Sequence, residues 1–185
     1  ANLAESNLVT HVLNLTGKDL ITASYEDALR PGGNAEQLAA KGRLLSNGQL
    51  AVTDRDYEKE IEYLHVGEKL FLMVTDPDHD SSDERDVVNV EVNTELGEKE
   101  TVPLAETLAH SGVFTASFML KAVENPVAGN FDTDDPTIES YFGDTLRIRY
   151  LDETASTEDG RLELLREAPV VIGTDGLVAA FTKTF

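Results

Sequence analysis

Cysteine and tryptophan are absent from this chain of 185 residues. Without cysteine there are no disulfide staples and no thiolate metal sites. Without tryptophan, and with only five tyrosines and seven phenylalanines, there are few candidates for the exposed aromatic platforms of sugar-binding modules. No apolar run approaches the ~18 residues of a membrane-spanning helix. No signal-peptide pattern is visible, so any export is expected to be encoded outside this sequence. Basic residues are scarce: 15 Lys and Arg stand against 35 Asp and Glu, a net charge of −20. Such a surface repels phosphate backbones and anionic lipids, which argues against nucleic-acid and membrane-surface binding. It attracts cations. Two readings of that attraction stay open, specific Ca²⁺ sites in loops or a diffuse acidic shell suited to high salt or acid.

The patterns of catalysis are missing too. His11, His65, His79 and His110 are scattered, with no i, i+4 pair, so a zinc site is not expected. Gly32-Gly33 is not followed by the lysine and helix of a phosphate loop. No G-x-S-x-G elbow occurs. Carboxylates are so abundant that no pair singles itself out for glycoside hydrolysis. An enzyme is not expected.

What the chain does contain is a repeat. Gly67 to Asp76 aligns without a gap on Gly143 to Asp152, and Gly17 to Asp27 joins them with Lys18 inserted. Each copy reads as a turn, a strand and an acidic exit. Leu3 to Thr10 echoes Leu104 to Thr115, and Asn47 to Ala51 echoes Asp175 to Ala179. The repeat is therefore roughly 125 residues long, the mark of stacked modules. In this phase, residues 1–46 form the C-terminal part of one module and 47–174 a complete one. Residues 175–185 begin a third, or form a strand exchanged with a neighbour.

The elements read as strands. Val88, Val90 and Val92 alternate with Asn89, Glu91 and Asn93, and Phe114, Ala116, Phe118 and Leu120 alternate with Thr115, Ser117 and Met119. Leu146, Ile148 and Tyr150 alternate with Arg147 and Arg149. Leu70 to Val74 is apolar on both faces, as suits a central strand. Turn residues separate these runs at Asn47-Gly48, Leu96-Gly97-Glu98, Ser111-Gly112 and Asp175-Gly176. The hydrophobic fraction of 41% suffices for a core. Short strands at this spacing predict an all-β fold of β-sandwich type. One helix is expected, Ala35 to Leu45, as a short connector weakened by Gly42.

These features resemble the Ig-like β-sandwich repeats of large prokaryotic cell-surface proteins, S-layer proteins and giant adhesins among them. The resemblance rests on Gly67 to Asp78, on Val88-Asn89-Val90-Glu91-Val92 and on Glu100 to Thr107. It continues in Ser111-Gly112-Val113-Phe114-Thr115 and Gly143 to Asp152. It covers about residues 47–172, with a partial copy at 1–46, and it does not account for the long insertion at Val123 to Glu139. It implies tandem antiparallel Ig-like sandwich modules, an extracellular location and a structural role, with Ca²⁺ at module junctions.

The candidate metal ligands are acidic loops. Asp76, Asp78, Asp80, Asp83 and Glu84 put five carboxylates into nine residues after a strand. Several hard oxygens on one loop suit Ca²⁺, which takes six to eight. The loop is not an EF-hand, because Ser81 and Val87 stand where the glycine and the bidentate acid are required. Asp132, Asp134 and Asp135 form a second cluster in the insertion. The pairs Glu26-Asp27 and Asp152-Glu153 end equivalent strands and offer an inter-module site with Asp54 and Asp56. Each group also reads as ordinary solvated acid. Asn14-Leu15-Thr16 is a glycosylation sequon.

Three functions follow. The first is a structural surface segment forming an array, lattice or filament with neighbouring modules or copies of itself, stiffened by calcium. The second is an adhesin-type module recognising a glycan or protein through the 123–139 loop. The third is a subunit polymerising by exchange of strand 175–185.

Overall fold

The computed structural model describes residues 19–27, 35–124 and 137–171, together with Leu13, Leu15, Val127 and Ala128. Among these the protein is all-β, with no helix. Two strands, β1 (Leu20–Asp27) and β2 (Glu36–Arg43), form a sheet of their own. The other nine are β3 (Gln49–Thr53), β4 (Leu64–His65), β5 (Lys69–Thr75), β6 (Val87–Asn93), β7 (Lys99–Glu106), β8 (Val113–Ala122), β9 (Thr137–Ser140), β10 (Thr145–Asp152) and β11 (Leu162–Val171). They form one sheet in the order β3-β5-β8-β7-β6-β10-β11-β4, with β9 beside β8. The pairings are antiparallel except β11 with β4 and β8 with β9.

Period-two sequence makes these strands and points them inward. Leu70, Leu72 and Val74 of β5, Val88, Val90 and Val92 of β6, and Leu146, Ile148 and Tyr150 of β10 are buried. Their alternate neighbours Asn89 and Arg147 are exposed. β5 lies between β3 and β8, and its other face carries the half-buried Phe71 and Met73, as a central strand requires. Phe114, fully buried on β8, packs in the same core. Each such side chain contributes about 1.5–3 kcal/mol by leaving water.

The sheet is strongly curled around this core. β7 pairs with β6 along its length, from Val87↔Ala105 to Asn93↔Lys99. It pairs with β8 only at Ala105↔Thr115 and Glu106↔Phe114. Pro103, which has no N–H to donate, lies where β7 leaves β8. The sheet turns there, a cleft opens between β7 and β8, and β11 comes round against β3.

The expected helix at 35–45 is instead strand β2. Its eight residues pair one for one with β1, from Leu20↔Arg43 to Asp27↔Glu36. The Ala and Leu content is only a weak helical preference, and a continuous ladder to β1 satisfies the same backbone groups. Residues 175–185, expected to begin a further strand, lie outside the described residues. So does most of the 123–139 insertion, whose last residues open β9.

Candidate functional site

Strand directions bring most of the acidic loops to one pole. β3 starts there, and Gln49 pairs with Thr75 at the end of β5. β10 ends there at Asp152, and β8 begins there, with Val113 opposite Thr75. The linker from the β1–β2 hairpin, Leu44 to Gly48, enters at this pole.

Asp76 is fully buried at the centre. Its N–H donates to the Gly112 carbonyl at 2.8 Å. Gly112 lies with φ at 60°, and a Cβ on it would stand 2.7 Å from Pro77 Cα, so only glycine allows this approach. The Tyr150 hydroxyl donates to Asp76 Oδ2 at 2.6 Å. Asp78 Oδ1 accepts from the Ser46 N–H at 3.3 Å and from the Ser46 hydroxyl. Asp152, also fully buried, accepts from Gly48 N–H at 2.8 Å and from Thr154 N–H at 2.9 Å. Asp76 Oδ1, Asp78 Oδ2 and Thr154 Oγ1 are buried and take no donor from outside this group, and the Asp78 side chain hydrogen-bonds with those of Asp76 and Thr154.

The electrostatics follow from that packing. Burial pushes the Asp76 carboxyl up to about 6, and the Asp78 and Asp152 carboxylates act in the same direction against the Tyr150 hydrogen bond. Burial also acts to raise Asp78, but hydrogen bonding with Ser46, Asp76 and Thr154 outweighs it and leaves that carboxyl below its ordinary value. Burial and the contact with Asp76 hold the Tyr150 hydroxyl protonated.

A second group lies beside the first. Asp80, Asp86 and Glu106 each bring one carboxylate oxygen within 4.8 Å of the others, a tighter grouping than Asp76, Asp78 and Asp152 make. Its oxygens are supplied with donors. Asp86 accepts from Ser81 N–H at 2.7 Å and Ser82 N–H at 3.0 Å, which lowers its carboxyl. Glu106 accepts from Gly112 N–H at 2.7 Å, and Asp80 meets His110 Nδ1 at 3.2 Å. This network shapes the two loops.

The nine-residue acidic run is thus divided. Asp76 and Asp78 face Asp152, Asp80 faces Asp86 and Glu106, and Asp83 and Glu84 are exposed. Asp132, Asp134 and Asp135 lie outside the described residues. Asp54 and Asp56, expected beside Asp152, are at the opposite end of β3, five residues of about 3.3 Å away. Asp54 instead closes a turn, accepting from Glu58 N–H at 3.0 Å and Lys59 N–H at 3.3 Å. Glu153 is exposed. Sequence reasoning did not pair Asp76 with Asp152, although both end copies of the same repeat. That shared position was the available signal. Ser46, Gly48, Thr154, Asp86 and Glu106 carried none.

No protein-family model matches the chain, and no curated protein matches it. The site must be read from its own chemistry. It gathers three carboxylates at one pole, and among the described residues no ion pair supplies them with a basic partner.

Proposed function

We propose that this protein is a segment of tandem Ig-like β-sandwich modules from a prokaryotic cell-surface protein. It acts as an extracellular spacer in an array, lattice or filament, and its acidic loops take calcium.

The observation that carries this reading is a repeated hairpin. In β10–β11 the buried residues of β10 pair as Leu146↔Ala168, Ile148↔Arg166 and Tyr150↔Leu164. In β1–β2 the aligned positions pair Ile21↔Gly42, Ala23↔Ala40 and Tyr25↔Leu38. Both copies of the repeated strand are thus the first arm of an antiparallel hairpin. The strand order is compatible with an Ig-like arrangement, with β3, β5, β8 and β7 in the places of A, B, E and D, and β6, β10 and β11 in those of C, F and G. On that reading β10–β11 is the last hairpin of one module, and β1–β2 is its counterpart from the module before. Tyr25 and Leu38 are 63% and 48% exposed, although their counterpart Tyr150 is core. An isolated hairpin is marginal in water, so these side chains call for the rest of a sandwich.

Two experiments test the reading. Antibodies against this chain should label intact cells of the source organism, and labelling only after lysis would remove the surface assignment. Small-angle scattering from two head-to-tail copies should give a rod about twice as long as one. A compact pair would remove the spacer role.

A further inference from the structure

We propose that Asn47 is a site of self-modification, at which the Gly48 peptide nitrogen closes on the Asn47 side-chain amide, with Asp152 as the base and the Ser156 N–H as the oxyanion donor. The ring so formed hydrolyses to aspartate or isoaspartate. This goes beyond the function proposed above and does not rest on it.

Asn47-Gly48 is the only Asn-Gly step in the chain. Glycine obstructs such a ring closure least, because it has no Cβ to cover its peptide nitrogen. Sequence alone stops there, since Asn-Gly is also an ordinary turn. The structure adds a contact on each reacting group. The Gly48 N–H, the nucleophile, donates to Asp152 Oδ2 at 2.8 Å, within the reach of a general base. Asn47 Oδ1, where negative charge develops, accepts from the Ser156 N–H at 2.8 Å, the place of an oxyanion donor. Asp152 ends β10, and Ser156 lies in the loop that follows. Asp152 is fully buried, and its other oxygen is fixed by the Thr154 N–H at 2.9 Å. Gly48 is buried as well, and a Cβ on it would stand 3.1 Å from the Tyr150 ring. Asn47 is exposed, so ammonia leaves and water arrives without opening the core. Nucleophile and electrophile are thus each held by the same stretch of chain, which lowers the entropy cost of their meeting.

In the first step the Gly48 nitrogen bonds to Asn47 Cγ, and its proton passes to Asp152. The Ser156 N–H holds the oxyanion on Oδ1. The Cγ–Nδ2 bond then breaks, the proton reaches Nδ2 by way of solvent, and ammonia leaves. Asp152 returns to its starting state, and a cyclic imide remains. Water opens that ring at Cγ to give aspartate, or at the main-chain carbon to give isoaspartate. Only water is consumed. Either product sets a new carboxylate next to the peptide that Asp152 holds. Isoaspartate also lengthens the backbone by one methylene just before β3. The reaction therefore loosens, irreversibly and with age, the fastening of the linker from the β1–β2 hairpin.

The test incubates the full 185-residue chain at neutral pH. Peptide mass spectrometry follows the exchange of the Asn47 amide for a carboxyl, and enzymatic methylation counts isoaspartate. The same chain unfolded in guanidinium chloride gives the rate of the bare Asn-Gly step. The folded chain should react at least about tenfold faster, since a positioned base alone supplies about 10²–10⁴-fold. Asp152→Asn keeps an acceptor beside Gly48 but removes the base, and should slow the folded reaction by about a hundredfold. Ser156→Pro removes the N–H donor and should slow it by a similar factor, about a hundredfold. Circular dichroism checks that each variant is folded. If both variants fail to fold, the comparison of folded with unfolded parent decides. A folded parent that reacts no faster than the unfolded chain would overturn the proposal, because the two contacts would then only fasten and shield Asn47. An undiminished rate in folded Asp152→Asn would overturn it as well.

Discussion

Replacing Asp76 by asparagine separates the charge of one buried carboxylate from its hydrogen bond. Without calcium and near neutral pH, Asp76 is ionised against Asp78 and Asp152. Its folded value is about 6 against an ordinary 3.8. Because the folded value is the higher, the native state holds more protons than the unfolded state between these limits. The group's contribution is complete below about pH 4 and is lost as pH rises through about 6. Two pH units correspond to about 3 kcal/mol. Asparagine stays neutral and still accepts from Tyr150. In chelator near neutral pH, Asp76→Asn should therefore be more stable than the parent by up to about 3 kcal/mol, or roughly 6–12 °C in Tm for a chain of this size. Near pH 4 the two should be nearly equal. Urea unfolding followed by circular dichroism at both pH values, with chelator, measures this. A variant that is less stable than the parent in chelator near neutral pH would refute the argument that burying this charge is costly.

Tyr150→Phe removes the donor to Asp76 and should cost about 1–3 kcal/mol near neutral pH, measured by urea unfolding. Gly112→Ala forces a side chain into left-handed backbone against Pro77 and should cost roughly 1–3 kcal/mol or more in the same assay. Phe114→Ala, which empties a fully buried site and removes the edge-on contact with His79, should cost about 3–5 kcal/mol. In native-state hydrogen exchange, the amides of β1 and β2 should exchange at least about a hundredfold faster than those of Leu72 and Ile148. Equal protection would mean that the hairpin is held as firmly as the core.

The strands were legible because alternation is a local property. Val88, Val90 and Val92 declare one face, and so do Leu146, Ile148 and Tyr150. The segment 35–45 was misread because Ala, Leu and Lys favour a helix only weakly, and the partner that overrides them, β1, lies across a loop. Two of the site's carboxylates, Asp76 and Asp78, stand out within the acidic run. Their division from Asp80 does not, because it depends on where β10 and the linker arrive in space. Asp152 stands 76 positions from Asp76 and is brought near it by sheet order alone. Asp54, close to the linker in sequence, is carried away by the length of β3.

The two ends of the curled sheet have a consequence under load. β3 starts at the acidic pole, and β11 runs from that pole to finish at Val171 beside His65, at the other. A pull applied at Gly48 and Val171 therefore acts along the strands. β3 would have to slide lengthwise past β5, and β11 past β10 and β4, so the rungs of each ladder bear the strain together. Peeling from one end, which breaks rungs singly, is the easier route for a hairpin pulled across its axis. A unit strung in this orientation yields by shear and not by unzipping.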